Sequence, residues 1–212
     1  GAGIGSGGKT ADPSKQESYN KVFRQQLTEV LSNYGPVTEV WFDGSCVINV
    51  NDILEKYAAR SVILQGPKAT LRWPGTESGK LFYPAWNTLS KTALDSGIST
   101  QYDDDPDGDA WAPLEADVTL YNHNWFWSAA NEKKRRSLEE LMEIYYKSVG
   151  YGGVLLLNST PDTTGLIPSD DMKLYAEFGK EISSRFDTPL YALEDTSGRY
   201  LEMVFKTPER IN

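Results

Sequence analysis

Residues 34–44 read Tyr-Gly-Pro-Val-Thr-Glu-Val-Trp-Phe-Asp-Gly, and the fold is decided by what lies on either side of them. Upstream, from about Ser14 to Asn33, apolar Tyr19, Val22, Phe23, Leu27, Val30 and Leu31 recur at the spacing of an amphipathic helix. Gly35 is a helix C-cap and Pro36 forbids continuation. Val37 to Phe42 then reads as a short buried strand ending at Asp43-Gly44. The same order recurs downstream. Asn51 to Arg60 predicts a helix, Ser61 to Gln65 a strand, and Asp117 to Leu120 another strand. Lys133 to Ser148 is the clearest helix, with Leu138, Leu141, Met142, Ile144 and Tyr145 on one face. Gly153 to Asn158 (GVLLLN) is a continuous apolar run, the mark of a strand buried on both faces. Asp170 to Phe186 is a last helix, capped by Ser169.

Strand and helix in alternation, with buried strands, mean a parallel α/β architecture. Between Gly66 and roughly Ala116 lies a long irregular stretch rich in Pro, Gly, Asp and Trp, and loops of that length are uncommon unless functional. A carboxylate and a long loop placed just after strand ends suit a (β/α)8 barrel, whose chemistry sits at the C-terminal ends of its strands. About four strands are visible, so the chain is expected to hold only the C-terminal half of a barrel, as a fragment or as one of two assembling pieces. Residues 1–13 read as a glycine-rich linker or loop, 14–187 as the barrel part, and 188–212 as the start of a β-rich domain. The last assignment rests on short alternating strands, Leu190 to Leu193 and Tyr200 to Phe205, joined by Thr196-Ser-Gly198.

Composition narrows the function. The chain is 39% hydrophobic and 12% aromatic, with six Trp and twelve Tyr, which serves either a rich core or stacking on the apolar faces of sugars. A formal charge of −9 argues against nucleic acid or an anionic membrane as partner, since both reward a basic surface. No run of about 18 apolar residues indicates a membrane span, and no signal peptide is visible. One cysteine, Cys46, excludes an internal disulfide framework and a multi-cysteine zinc site. One histidine, His123, excludes a histidine-rich metal centre, and no Gly-x-Ser-x-Gly turn supplies a triad serine. No metal or cofactor is expected.

Two motifs are set aside. Gly3 to Thr10 fits the phosphate-loop pattern Gly-x4-Gly-Lys-Thr, but two preceding residues cannot make the strand that such a loop needs. Asp103, Asp105, Asp107 and Gly108 begin like a calcium loop, yet Leu114 stands where the bidentate Glu belongs and Glu115 is one position late. A solvated acidic loop is the expectation there.

Retaining glycosidases need two carboxyl groups about 5 to 5.5 Å apart, one as nucleophile and one as general acid, then base. Thirty acidic residues offer too many pairs for composition to choose among. Position favours Asp43, which ends a buried strand, and Glu77, in the Trp-rich loop after the next one.

The 34–44 stretch resembles the "YG.i.evWfDG" strand of the α-L-fucosidases of glycoside hydrolase family 29. Leu71-Arg-Trp-Pro-Gly-Thr-Glu-Ser-Gly79 is similar to the "RW.GnEaG" segment of the subfamily preferring α-1,3/1,4-linked fucose. Trp111-Ala-Pro-Leu-Glu-Ala-Asp-Val-Thr119 resembles "W.PaEcDVSi". Ile144 to Gly150, Val154 to Asn158, Pro161-Asp162 and Gly165 to Ile167 follow "IYY.SVG..gvLLLN.pPd..GlI". These matches run in family order from about Ser18 to Phe186. The resemblance implies that Asp43 is the nucleophile and Glu77 the acid/base, acting on a fucosylated oligosaccharide or glycoconjugate in a secreted or periplasmic setting. Trp125, Trp127 and His123 are candidate substrate contacts; Trp73 and Arg72, beside Glu77, are candidates to orient it; Glu115 is read as structural. The chain departs from the family at Tyr121-Asn-His-Asn-Trp-Phe-Trp-Ser128, where "RPGWFwH" is usual, and at Thr76 in place of Asn. The early family strands with their sugar-binding histidines have no counterpart here, so a complementary N-terminal barrel polypeptide is the expected partner. The alternative is a non-catalytic carbohydrate-binding protein that keeps a glycosidase-like barrel.

Overall fold

The computed structural model describes residues 3–188, so the β-rich domain expected at 188–212 lies, apart from its first residue, outside the described residues. Helix α1 spans Gln16–Asn33. Its core face is narrower than the sequence pattern: Tyr19, Phe23, Leu27 and Leu31, four residues apart, pack on Val40, Phe42 and Ile63, while Val22 and Val30 face solvent. Strand β1 (Glu39–Trp41) follows, then α2 (Asn51–Tyr57) and β2 (Val62–Leu64). The long irregular stretch contains a two-residue antiparallel pair, β3 (Thr88–Leu89) with β4 (Ala110–Trp111), and the short helix α3 (Lys91–Asp95). Strand β5 (Glu115–Thr119), helix α4 (Leu138–Ser148), strand β6 (Val154–Asn158) and helix α5 (Ser169–Phe186) complete the order. Among the described residues no helix is long and apolar enough to cross a membrane.

Helix α4 begins five residues later than its apolar pattern predicts. Ser137 and Glu140 form a capping box that fixes the start, and the basic residues before it are engaged elsewhere. Arg135 pairs with the fully buried Asp171 of α5, and Arg136 donates to the Thr119 carbonyl at the end of β5. In α5 the N-cap is Pro168, with no side-chain bond, and not the expected Ser169.

The parallel strands form one ladder in sequence order. β1 pairs with β2, and β5 with β6. Leu71 and Arg72, which the sequence left in the irregular stretch, join the two pairs through parallel bridges Leu64–Leu71 and Arg72–Leu114. β5 has neighbours on both sides and is buried at all five positions. β6, expected to be buried on both faces, leaves Val154 and Leu156 about 40% exposed, because among the described residues it has a neighbour on one side only.

Side chains alternate across the ladder. Val40 and Ile63 point to the helices, and Ala116 and Val118 likewise lie on the helix side of β5. Glu39, Trp41 and Asp43 therefore share the opposite face with Glu115, Asp117 and Thr119. In a flat sheet β1 and β5 would stand three strand spacings apart, about 14 Å. Trp41 Nε1 nevertheless donates to Glu115 Oε1 at 2.8 Å, so the ladder curls and this face is its concave one.

Glu115 is 2% exposed and faces the carboxyl of Glu39, whose Oε1 is buried without a protein donor. Two such carboxyls can bond only by sharing a proton. Burial first, then the negative charge of Glu39, push the Glu115 carboxyl from an ordinary 4.5 up to about 7, against the Trp41 hydrogen bond. Between those values the folded protein keeps a proton that the unfolded chain has released. Stability therefore falls as pH rises across the window, by up to about 1.4 kcal/mol per pH unit. Glu115→Gln keeps an acceptor for Trp41 without the charge. Urea unfolding at pH 5 and pH 8 should show a smaller loss in the variant than in the natural protein.

Candidate active site

A cavity of about 720 Å³ opens at the C-terminal ends of the parallel strands. Its walls come from successive strand ends: Trp41 and Asp43 from β1, Gln65 after β2, Trp73 after the Leu71-Arg72 bridge, and Asp117 in β5. Glu77 enters from the loop after Trp73, Thr100 and Ile98 from the segment after α3, and Trp125 and Phe126 from the loop after β5.

Two glycines make these approaches possible. Gly44 has φ +69, and a Cβ there would stand 2.7 Å from Ser6 Oγ, which itself donates to the Gly44 carbonyl. The chain thus turns sharply just after Asp43 and is held by the glycine-rich N-terminal segment. That segment, expected to be a linker or loop, is a packed loop: Gly7 and Thr10 are buried, and Ser6 lines the cavity. Thr10 bonds to the Asp12 carbonyl and to Gln16, so its hydroxyl serves the fold. Gly79, at φ +71, lies wedged where a Cβ would come within 3 Å of Val118 and Ile144, while its N–H donates to the Asp117 carbonyl. It draws the loop bearing Glu77 onto β5.

Three indoles each hold one carboxyl. Trp41 donates to Glu115, Trp73 Nε1 donates to Asp117 Oδ1 at 2.7 Å, and Trp125 Nε1 donates to Glu77 Oε2 at 3.0 Å. Asp43 and Glu77 are both exposed to the cavity. Asp117 is 3% exposed; burial pushes its carboxyl above the usual range, opposed by Trp73 and reinforced by the charges of Glu77 and Asp43. Asp117 thus feels the charge of both Asp43 and Glu77.

Of the residues picked from sequence, Asp43, Glu77, Trp73 and Trp125 meet in the cavity. Arg72 does not. It points to the helix side, is 0% exposed, and spends its donors on the carbonyls of Ala112, Thr100 and Trp86 and on the Asp104 carboxylate. It is a buried strut, because adjacent residues in a strand face opposite ways. Trp127 packs against Leu120, Tyr121, Leu141 and Leu174 as part of the core. His123, at φ +65, sits exposed in a turn outside the cavity wall. The acidic run also has internal work: Asp103 caps the Thr100 N–H, Asp105 accepts from Asp107 N, and Asp109 from Lys91 N. Asp117 and Gln65 were missed as site residues. The signal for Asp117 was present in the alternation Glu115, Asp117, Thr119.

Comparisons with known proteins bear on this geometry. The family model described as alpha-L-fucosidase matches residues 6–184. A rice protein (Oryza sativa subsp. japonica), provisionally named alpha-L-fucosidase 1, is 35% identical over 76% of this chain and 33% of its own length. Alpha-L-fucosidase 1 of Arabidopsis thaliana is 31% identical over 83% of this chain and 37% of its own. Among solved structures, a Ruminococcus gnavus family 29 fucosidase in complex with fucose shares 26% identity at TM-score 0.69, over 88% of this chain and 43% of that one. The chain spans about a third of the length of these curated relatives. Over nearly all its described length, this chain belongs to the alpha-L-fucosidase family.

Proposed function

We propose that this chain carries the two catalytic carboxyls of a retaining α-L-fucosidase, an exo-glycosidase that releases terminal L-fucose from glycans. The observation that carries the reading is the meeting of Asp43 and Glu77 in one cavity at the C-terminal strand ends, the place where parallel barrels do their chemistry. Asp43 attacks the anomeric carbon while Glu77 protonates the departing oxygen. Glu77 then takes a proton from water, which attacks the glycosyl–enzyme bond and releases fucose with its configuration retained. Trp125 steers the Glu77 carboxyl, and Asp117 fixes Trp73 as a wall. Glu115, at the start of β5, is buried, accepts from Trp41 and does not line the cavity.

The five parallel segments are, in this reading, the C-terminal half of a (β/α)8 barrel. Support comes from their sequence order, the curl of the ladder, and the strand edges of β1 and β6 that lack a second neighbour among the described residues. The remaining strands close against those edges and complete the sugar pocket. The Leu71 to Gly79 resemblance favours α-1,3/1,4-linked fucose.

In the assembled enzyme, Asp43→Gly should lower hydrolysis of an aryl α-L-fucoside by at least about a thousandfold. Unchanged turnover contradicts the assignment, and binding of fucosylated sugar with no turnover by the natural protein favours a non-catalytic lectin. Glu77→Gln should cost about a hundred- to ten-thousandfold on glycans. The loss should shrink for fucosyl fluoride, whose leaving group needs no proton; equal losses on both contradict the acid role.

A further inference from the structure

Beside the cavity stands a pair of aromatic rings that neither the core nor the proposed chemistry uses. Tyr102 is 79% exposed and Phe82 is 49% exposed, with ring centres 5.6 Å apart. Exposed aromatic side chains are ordinarily free to move, but these two have anchored backbones. The buried Gln101 side chain accepts from the Phe82 N–H at 2.9 Å and donates to the Phe82 carbonyl at 2.8 Å, tying the two ring-bearing segments together. Thr100 and Asp103 cap the turn that carries Tyr102. Beneath them the fully buried Arg72 binds the Thr100 carbonyl and pairs with Asp104. Exposed rings carried on a backbone held this firmly are suited to an external partner.

Two placements identify it. Thr100 and Ile98, just before Tyr102 in the chain, line the cavity, and the Tyr102 ring lies 3.4 Å from where a Cβ on Gly75 would be, two residues before Glu77. The rings therefore continue the cavity on the Glu77 side, where a leaving group departs. The turn that carries Tyr102 is tied through the Thr100 carbonyl to Arg72, in the middle of the five parallel segments and the furthest from the edges of β1 and β6.

We infer that Tyr102 and Phe82 form a ledge that stacks the sugar ring next to the fucosyl unit, on the aglycone side of the cleaved bond. This rests on reading the cavity as a fucosidase site. The ligand is an uncharged sugar ring, because Asp103, Asp107 and Asp109 stand exposed just past Tyr102 and repel a sialylated or sulfated one.

The test compares kcat/KM in the whole enzyme for α-L-fucosyl fluoride, whose single-atom leaving group cannot reach the ledge, and for a neutral fucosyl oligosaccharide. Tyr102→Ala should lose about tenfold on the oligosaccharide, mainly through KM, and nothing on the fluoride; Tyr102→Phe should keep wild-type values on both. Equal losses on both substrates, or none on either, overturn the ledge. A sialylated oligosaccharide should be the poorer substrate at low salt, and parity overturns the stated selectivity. If the natural enzyme turns over neither fucosyl substrate, the glycosidase reading fails. The ledge is then judged by titration of the same oligosaccharide, where unweakened binding by Tyr102→Ala sinks it.

Discussion

The hydrogen bond from Trp41 Nε1 to Glu115 Oε1 spans four parallel segments, and the site depends on the curvature that lets it form. Without the curl, Asp43 at the end of β1 and Asp117 in β5 would belong to separate surfaces. With it, side chains spaced along 74 residues of sequence share one concave face. The bond also requires Glu115 to sit buried beside Glu39, an arrangement that costs stability wherever both carboxyls would ionise. The geometry of the cavity and a pH-sensitive core thus have one physical origin.

A second buried charge organises the opposite side of the same sheet. Arg72 links the Trp86, Thr100 and Ala112 carbonyls and Asp104, four points of a stretch with little regular structure. A planar guanidinium with donors in a fixed fork suits that task better than a lysine. Removing one partner of such a buried pair leaves an uncompensated charge, so Arg72 and the loop around it depend on each other. The cavity wall at Thr100 and the exposed Tyr102 ring both hang on this strut.

Much of this was legible in the sequence, for identifiable reasons. Helix α1 and strand β1 could be read because the period changes from 3.6 to extended chain at Gly35-Pro36. The Leu71-Arg72 segment was not legible: two residues are too short for any periodicity, and only the parallel bridges reveal them as a strand of the ladder. Asp43 and Glu77 were picked through position and resemblance, Trp127 as an aromatic wall for the sugar, and Arg72 for its place beside Glu77 in the sequence. Adjacency misleads in a strand, where neighbours face opposite ways, as Arg72 and Trp73 do. Ser6 was hidden in a segment whose composition reads as linker, because its order comes from long-range contacts with Gly44 and Val47.

The account turns on which carboxyl bonds to the sugar. A 2-deoxy-2-fluoro fucosyl donor with a reactive leaving group slows hydrolysis of a covalent intermediate enough to map it by peptide mass spectrometry. The account predicts a label on the peptide containing Asp43, at Asp43. A label on Glu77 or Asp117, or turnover of the donor with no covalent intermediate and inverted product, would contradict it.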